Sequence, residues 1–132
     1  LNDLPMGMTA HLVYDQIDPQ PATISAAMMA VIRDSIGFDG LIMTDDISMK
    51  ALSGSLADLS RQSLDAGCDV ILHCNGSFAD RAEVMEAAGS MSDAAQTRAE
   101  RALAMRKAPQ ELDIQAAEAE LSALMGGQVY ER

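Results

Sequence analysis

A chain of 132 residues with 48% hydrophobic content and a mean hydropathy of +0.03 is sized for one modest globular domain. Its formal net charge of −11 repels nucleic-acid phosphates and anionic lipid alike, which points to a small molecule or a protein as partner. No apolar run approaches the roughly 20 residues needed to cross a bilayer, and no basic-then-apolar stretch opens the sequence, so neither a spanning segment nor a leader is expected.

The chain opens on Leu1 where a newly made protein has Met, so it is expected to begin inside a longer protein. The segment LPMGMTAHLVY, 4–14, predicts a strand, bounded by Pro5 and by the turn residues of DQIDPQP, 15–21. Ser25 is a predicted N-cap for a helix through Ile36, with Met28, Met29, Ile32 and Ile36 on one face and Gly37 as the left-handed stop. A buried strand follows over 40–44, ending in Asp45 and Asp46, and then a helix over 56–66 that stops at Gly67. Residues 69–74 predict the next strand. Two Cys residues on or beside it, Cys68 and Cys74, sit about 20 Å apart if the backbone is extended, too far for a bridge. Free thiols fit a reduced, cytoplasmic setting.

From Ser77 the pattern is helical to the end. Ser77 and Asp80 predict a capping box before RAEVMEAAG, Ser92 caps DAAQTRAERALAMRKA ahead of Pro109, and DIQAAEAELSALM runs up to Gly126 and Gly127. The alanine-rich acidic tail, about 77–132, reads as helices with solvated faces.

The middle of the chain repeats itself. IGFDGLIMTDD and AGCDVILHCN share a helix-ending glycine, an acid two residues on and an apolar strand, and Gly37 to Gly67 and Asp39 to Asp69 are both offset by 30. That is the period of one strand-plus-helix unit, and strands without polar alternation belong to a parallel α/β sheet covered on its faces. In such folds active sites gather at the carboxyl ends of strands, where Asp45 and Asp46 stand.

The run VIR, 31–33, followed by GFDGLIMTDDIS, 37–48, resembles the signature of glycoside hydrolase family 3, an apolar strand ending in Ser or Thr and then the catalytic Asp. MTAHLVYDQIDPQPATIS, 8–25, and SLDAGCDVILHCN, 63–75, look like further segments of the bacterial cytosolic β-N-acetylglucosaminidases of that family. Ser35 departs from the usual charged or amide residue at its position. The resemblance covers roughly residues 4–80 and implies the carboxyl-terminal part, strands six to eight, of a TIM (β/α)₈ barrel. A whole barrel takes about 250 residues, and the family's histidine-bearing loop, with Lys-His and Pro-Gly-His elements, is absent from these residues. The whole of 1–132 is then a partial catalytic-barrel domain with its helical tail.

The same resemblance implies Asp45 as the nucleophile of a retaining hydrolase that removes terminal N-acetylglucosamine from peptidoglycan fragments in cell-wall recycling, with the acid/base pair on the absent loop and no cofactor. Thr44 and the amides after the strand are candidate donors to the Asp45 oxygens. Asp46, projecting to the opposite side, is expected to be a structural cap. His11 and Met49 are candidate sugar contacts, each with a core or packing role as the alternative; His73 is expected in the core, and Asn75 faces the pocket or a turn. Joint Mg²⁺ binding by Asp45 and Asp46 is awkward for neighbours on a strand. A non-catalytic α/β interaction module is the alternative to the enzyme, its open sheet edges pointing to self-association of the fragment.

Overall fold

The computed structural model describes residues 3–127; Leu1, Asn2 and the end of the tail, 128–132, lie outside the described residues. In chain order the elements are β1 (Met6–Met8), a hairpin of β2 (Val13–Tyr14) and β3 (Asp18–Pro21), α1 (Ala26–Ala30), β4 (Leu41–Asp46), α2 (Leu56–Ala66), β5 (Val70–Leu72), α3 (Phe78–Ala88), α4 (Asp93–Ala104) and α5 (Ile114–Leu124). β1, β4 and β5 form one sheet in that order, and both pairings are parallel. The expected mixed α/β architecture with a parallel sheet is present.

Local signals set the helices. Ser55 caps α2 by accepting the Asp58 N–H, and Gly67, at φ +120°, ends it. Ser77 and Asp80 form the predicted capping box of α3, Ser92 caps α4, and Asp113 caps α5. Caps of this kind contribute about 1 kcal/mol each. One layer of side chains joins the helices to the sheet: Met29, Phe38, Ile42, Ala66 and Cys68 pack as one cluster, and Ile47, Leu52, Leu59 and Val84 as a second. Burial pushes the Cys68 thiol up to about 12, while Cys74 is exposed, and both are free.

Two predicted elements break where the sequence reads as continuous. The strand expected over 4–14 is sheet only at Met6–Met8, and the chain then turns into the β2–β3 hairpin. Thr9 still donates its N–H to Met43 O, but its hydroxyl meets Thr23 Oγ1 at 2.8 Å, and the His11 ring bonds the same hydroxyl. These side-chain bonds draw the chain off the sheet. The helix expected from Ser25 to Ile36 is α for five residues and then opens into a π turn, Val31–Ser35, with Ile36 N–H donating to Val31 O. The wider turn rotates Ile36 to the surface, 47% exposed, and Phe38 enters the core in its place.

The sheet is covered on one face. A Cβ on Gly7 would come within 3.1 Å of the Phe38 ring, so Gly7 looks toward the helices and its neighbours Met6 and Met8 look away, 42% and 55% exposed. The carboxylate of Asp69, just before β5, gathers the base of the sheet. Its oxygens accept from Arg33 at 2.7 Å, Arg98 at 2.9 Å and the Ile42 N–H at 2.8 Å. The π turn delivers Arg33 to this point, where it also donates to Phe38 O and Gly40 O. Arg98 and Arg101 of α4 further grip Asp39, so α4 is latched to the sheet rather than solvated all round; α5, in contrast, buries no residue.

Candidate active site

β4 is the central strand, and its carboxyl end is irregular. Met43 opposes Val70 but Asp46 opposes Leu72, so β4 carries one residue more than β5 over the same stretch. A bulge of this kind leaves an N–H without its ladder partner and re-aims the side chains beyond it. Thr44 fills the gap: fully buried, it accepts the Leu72 N–H on Oγ1 at 2.8 Å. The burial pattern along β4 then alternates, with Asp45 half-buried like Met43 and Asp46 buried like Thr44. Asp45 therefore lies toward the uncovered face and Asp46 toward the helices, the opposite projection the sequence predicts.

The Asp46 N–H donates to Asp45 Oδ1 at 2.8 Å, which fixes the carboxylate from its own backbone. This is a donor from the amides after the strand. Thr44, the other candidate, has its oxygen engaged with Leu72 instead. Asp46 itself accepts from the Ser48 N–H at 3.0 Å and the Ser48 hydroxyl at 2.7 Å, the cap role expected of it. Burial raises its pKa, but hydrogen bonds from Ser48 and the Cys74 N–H, with His73 nearby, together outweigh burial and hold the carboxyl below its ordinary range. A depressed folded pKa means a contribution to stability that is present above about pH 4, the unfolded value, and lost as pH falls through the folded one. The difference in unfolding free energy between the native chain and Asp46→Asn is thus expected to be largest near neutrality and to shrink in acid. Equal pH slopes in urea titrations of the two proteins would contradict it.

His11 is placed behind the strand end rather than free in front of it. Nε2 lies 2.9 Å from Asp46 O, a carbonyl that can only accept, so Nε2 donates to it, and Nδ1 lies 2.8 Å from the Thr23 hydroxyl. Thr9 Oγ1 shares a hydrogen bond with the same Thr23 hydroxyl at 2.8 Å. The relay Thr9, Thr23, His11 and the Asp46 peptide joins β1, the turn before α1 and the tip of β4. Sequence reasoning missed it, because its members lie 12 to 35 residues apart. Met49 is 45% exposed on the turn after β4, where its N–H bonds Asp46 O. β5 ends at Leu72, so His73, expected in the core on that strand, lies just past it with an enclosed side chain but outside both core clusters, and Asn75 is exposed on the turn beyond. Among the described residues, no group of three or more His, Cys, Asp or Glu side chains is arranged to hold a metal ion, and no helix is long and apolar enough to cross a membrane.

An acid held at the carboxyl end of a central parallel strand is the layout in which parallel α/β proteins carry their sites. The model of the glycosyl hydrolase family 3 N-terminal domain matches residues 2–105, and the chain belongs to that family. The match runs through α4, beyond the segments that carry the resemblance in the sequence. A beta-hexosaminidase of Shewanella frigidimarina (strain NCIMB 400) is 44% identical over 82 residues, 60% of this chain and 24% of the relative. One of Pasteurella multocida (strain Pm70) is 46% identical over 71 residues, 52% of this chain and 20% of the relative. The chain thus spans about a quarter or less of the curated relatives it matches. Native NagZ from Neisseria gonorrhoeae superposes with a TM-score of 0.64 at 31% identity, over 90% of this chain and 36% of its own. A glycoside hydrolase family 3 beta-N-acetylglucosaminidase from Paenibacillus sp. str. FPU-7 gives 0.64 at 25% identity, over 83% and 24%.

Proposed function

We propose that these residues form the last third of a (β/α)₈ catalytic barrel in a retaining β-N-acetylhexosaminidase, with Asp45 as the nucleophile. The observation that carries the reading is the Asp45 carboxylate, half-buried on the uncovered side of the central strand and held by the Asp46 N–H. Ionised and oriented, it attacks the anomeric carbon to form a glycosyl-enzyme, which water then releases. The acid that protonates the leaving oxygen belongs to the histidine-bearing loop outside these residues. The uncovered face with Met6 and Met8 supports the barrel, because the interior of a barrel is filled by side chains from all its strands. In this reading Met49 lines the sugar site, and His11, with both nitrogens taken, meets sugar only by its carbon edge while it steadies the Asp46 peptide. The substrate is a terminal N-acetylglucosamine on a muropeptide from cell-wall recycling in the cytoplasm, and no cofactor enters the scheme.

The test is trapping. A slow fluorinated N-acetylglucosamine analogue reacted with the protein that carries this chain, followed by peptide mass spectrometry, is expected to label Asp45; a label on Asp46 or on no carboxylate overturns the assignment. Residues 1–132 alone are expected to hydrolyse an aryl β-N-acetylglucosaminide at a negligible rate, since a nucleophile without an acid/base group is half a site. Turnover by the isolated chain at rates typical of complete enzymes would refute this. The same uncovered face and edges favour a second reading, a non-catalytic module that pairs with another copy of itself. That reading predicts a stable dimer and no turnover in any context.

A further inference from the structure

His73 takes no part in the hydrolytic scheme, yet it is built into the wall behind the strand end. Its side chain is 6% exposed, and neither ring nitrogen has a hydrogen-bond partner. Buried polar groups are seldom left in that state, so a retained orphan asks for a role. Nδ1 lies 3.6 Å from Asp46 Oδ1, within ion-pair distance and just outside hydrogen-bond range. The far side of the ring is fitted as closely. A Cβ on Gly76 would stand 2.6 Å from His73 Nε2 and 3.0 Å from Asp80 Oδ2, so only glycine leaves the imidazole its place there. The ring is wedged between the Asp46 carboxylate and the start of α3.

We propose that His73 is a positioning residue for the nucleophile: its Nδ1–H braces the Asp46 carboxylate, and the Asp46 peptide N–H in turn fixes the Asp45 oxygen. The inference rests on the reading of Asp45 given above. Asp46 is the common member. Its side chain faces His73 and Ser48, its carbonyl accepts from His11, and its N–H holds Asp45. Loosening one support tilts the peptide, and with it the carboxylate that must meet an anomeric carbon along a fixed line.

The experiment measures aryl β-N-acetylglucosaminide hydrolysis by the protein that carries this chain, in variants of His73. His73→Val removes the donor and is expected to lower kcat about tenfold, with KM changed less than about twofold. His73→Asn, whose amide nitrogen falls near the Nδ1 position, is expected to stay within about threefold of the native rate. If the valine variant does not fold, the comparison is read between Asn and Gln, since the Gln amide reaches the Nε2 position and leaves Asp46 unbraced. Equal rates in the Asn variant and its partner, or a rise in KM with kcat unchanged, overturns the proposal. Asp45→Asn runs beside them. If it retains turnover, the nucleophile reading fails; if it is inactive while His73→Val matches the native enzyme, only the role of His73 fails.

Discussion

Asp45→Asn in the complete enzyme is expected to lower kcat and kcat/KM together by several powers of ten while sugar binding is retained. The amide keeps the shape of the side chain and can still lie beside the Asp46 N–H, which donates to Asp45 Oδ1 in the native chain. What it lacks is the negative charge that, in the proposed mechanism, attacks the anomeric carbon, an interaction made only on the way to the transition state. Asp46→Asn is expected to cost much less in rate. Its carboxylate faces Ser48 and the helix side, and the group that touches Asp45 is its backbone N–H, which the substitution leaves in place. The pair therefore separates chemistry from support on adjacent residues. Comparable losses in both variants, measured as kcat at saturating aryl glycoside, would mean that the strand end works as a single unit and that Asp45 has no special place in it.

The parts of this arrangement that the sequence makes legible are those whose causes lie within a few residues. α2 is readable because the stretch 56–66 and the Gly67 that ends it lie side by side, and the glycine's φ of +120° requires the residue found there. The position of Asp45 at a strand end is readable for the same reason: four apolar-to-neutral residues and then an acid pair mark a buried strand and its exit. The bulge is not readable, because its cause is a bond from Leu72 N–H to the Thr44 hydroxyl across 28 residues. The break of the first strand at Thr9 depends on Thr23, and the relay through His11 depends on Asp46. A π turn has no spacing of its own; Met28, Met29, Ile32 and Ile36 fit an α-helical face, and only the reach of Arg33 to Asp69 and the entry of Phe38 into the core reveal why the turn widens.

The repeat that the sequence displays conceals a physical difference, and it sets the second large effect. Asp39 and Asp69 occupy equivalent places before β4 and β5, and each binds two arginines. The side chain of Asp69 is 5% exposed and that of Asp39 67%. Asp39 and Arg101 are solvated in the folded and unfolded states alike and Arg98 keeps Asp69, so Asp39→Ala is expected to cost about 1 kcal/mol or less. Asp69→Ala removes the shared partner of Arg33 and Arg98, which are 17% and 23% exposed, and strands the buried Ile42 N–H as well. Arg98 keeps Asp39, but Arg33 loses its carboxylate partner in a poorly solvated place, and the expected cost is about 3 kcal/mol. Against a whole-domain stability of about 5–15 kcal/mol, such a loss is a large shift in the unfolding midpoint and leaves a sizeable unfolded fraction at the lower end of that range. Urea unfolding of the protein that carries this chain reads both values. Because Asp69 lies at the opposite end of the sheet from Asp45, the folded fraction of Asp69→Ala should keep its turnover number, so stability and rate part company. Equal costs for the two substitutions would show that exposure does not govern these ion pairs. A drop in turnover that persists in the fully folded fraction would show that the base of the sheet and the strand end that carries Asp45 are coupled.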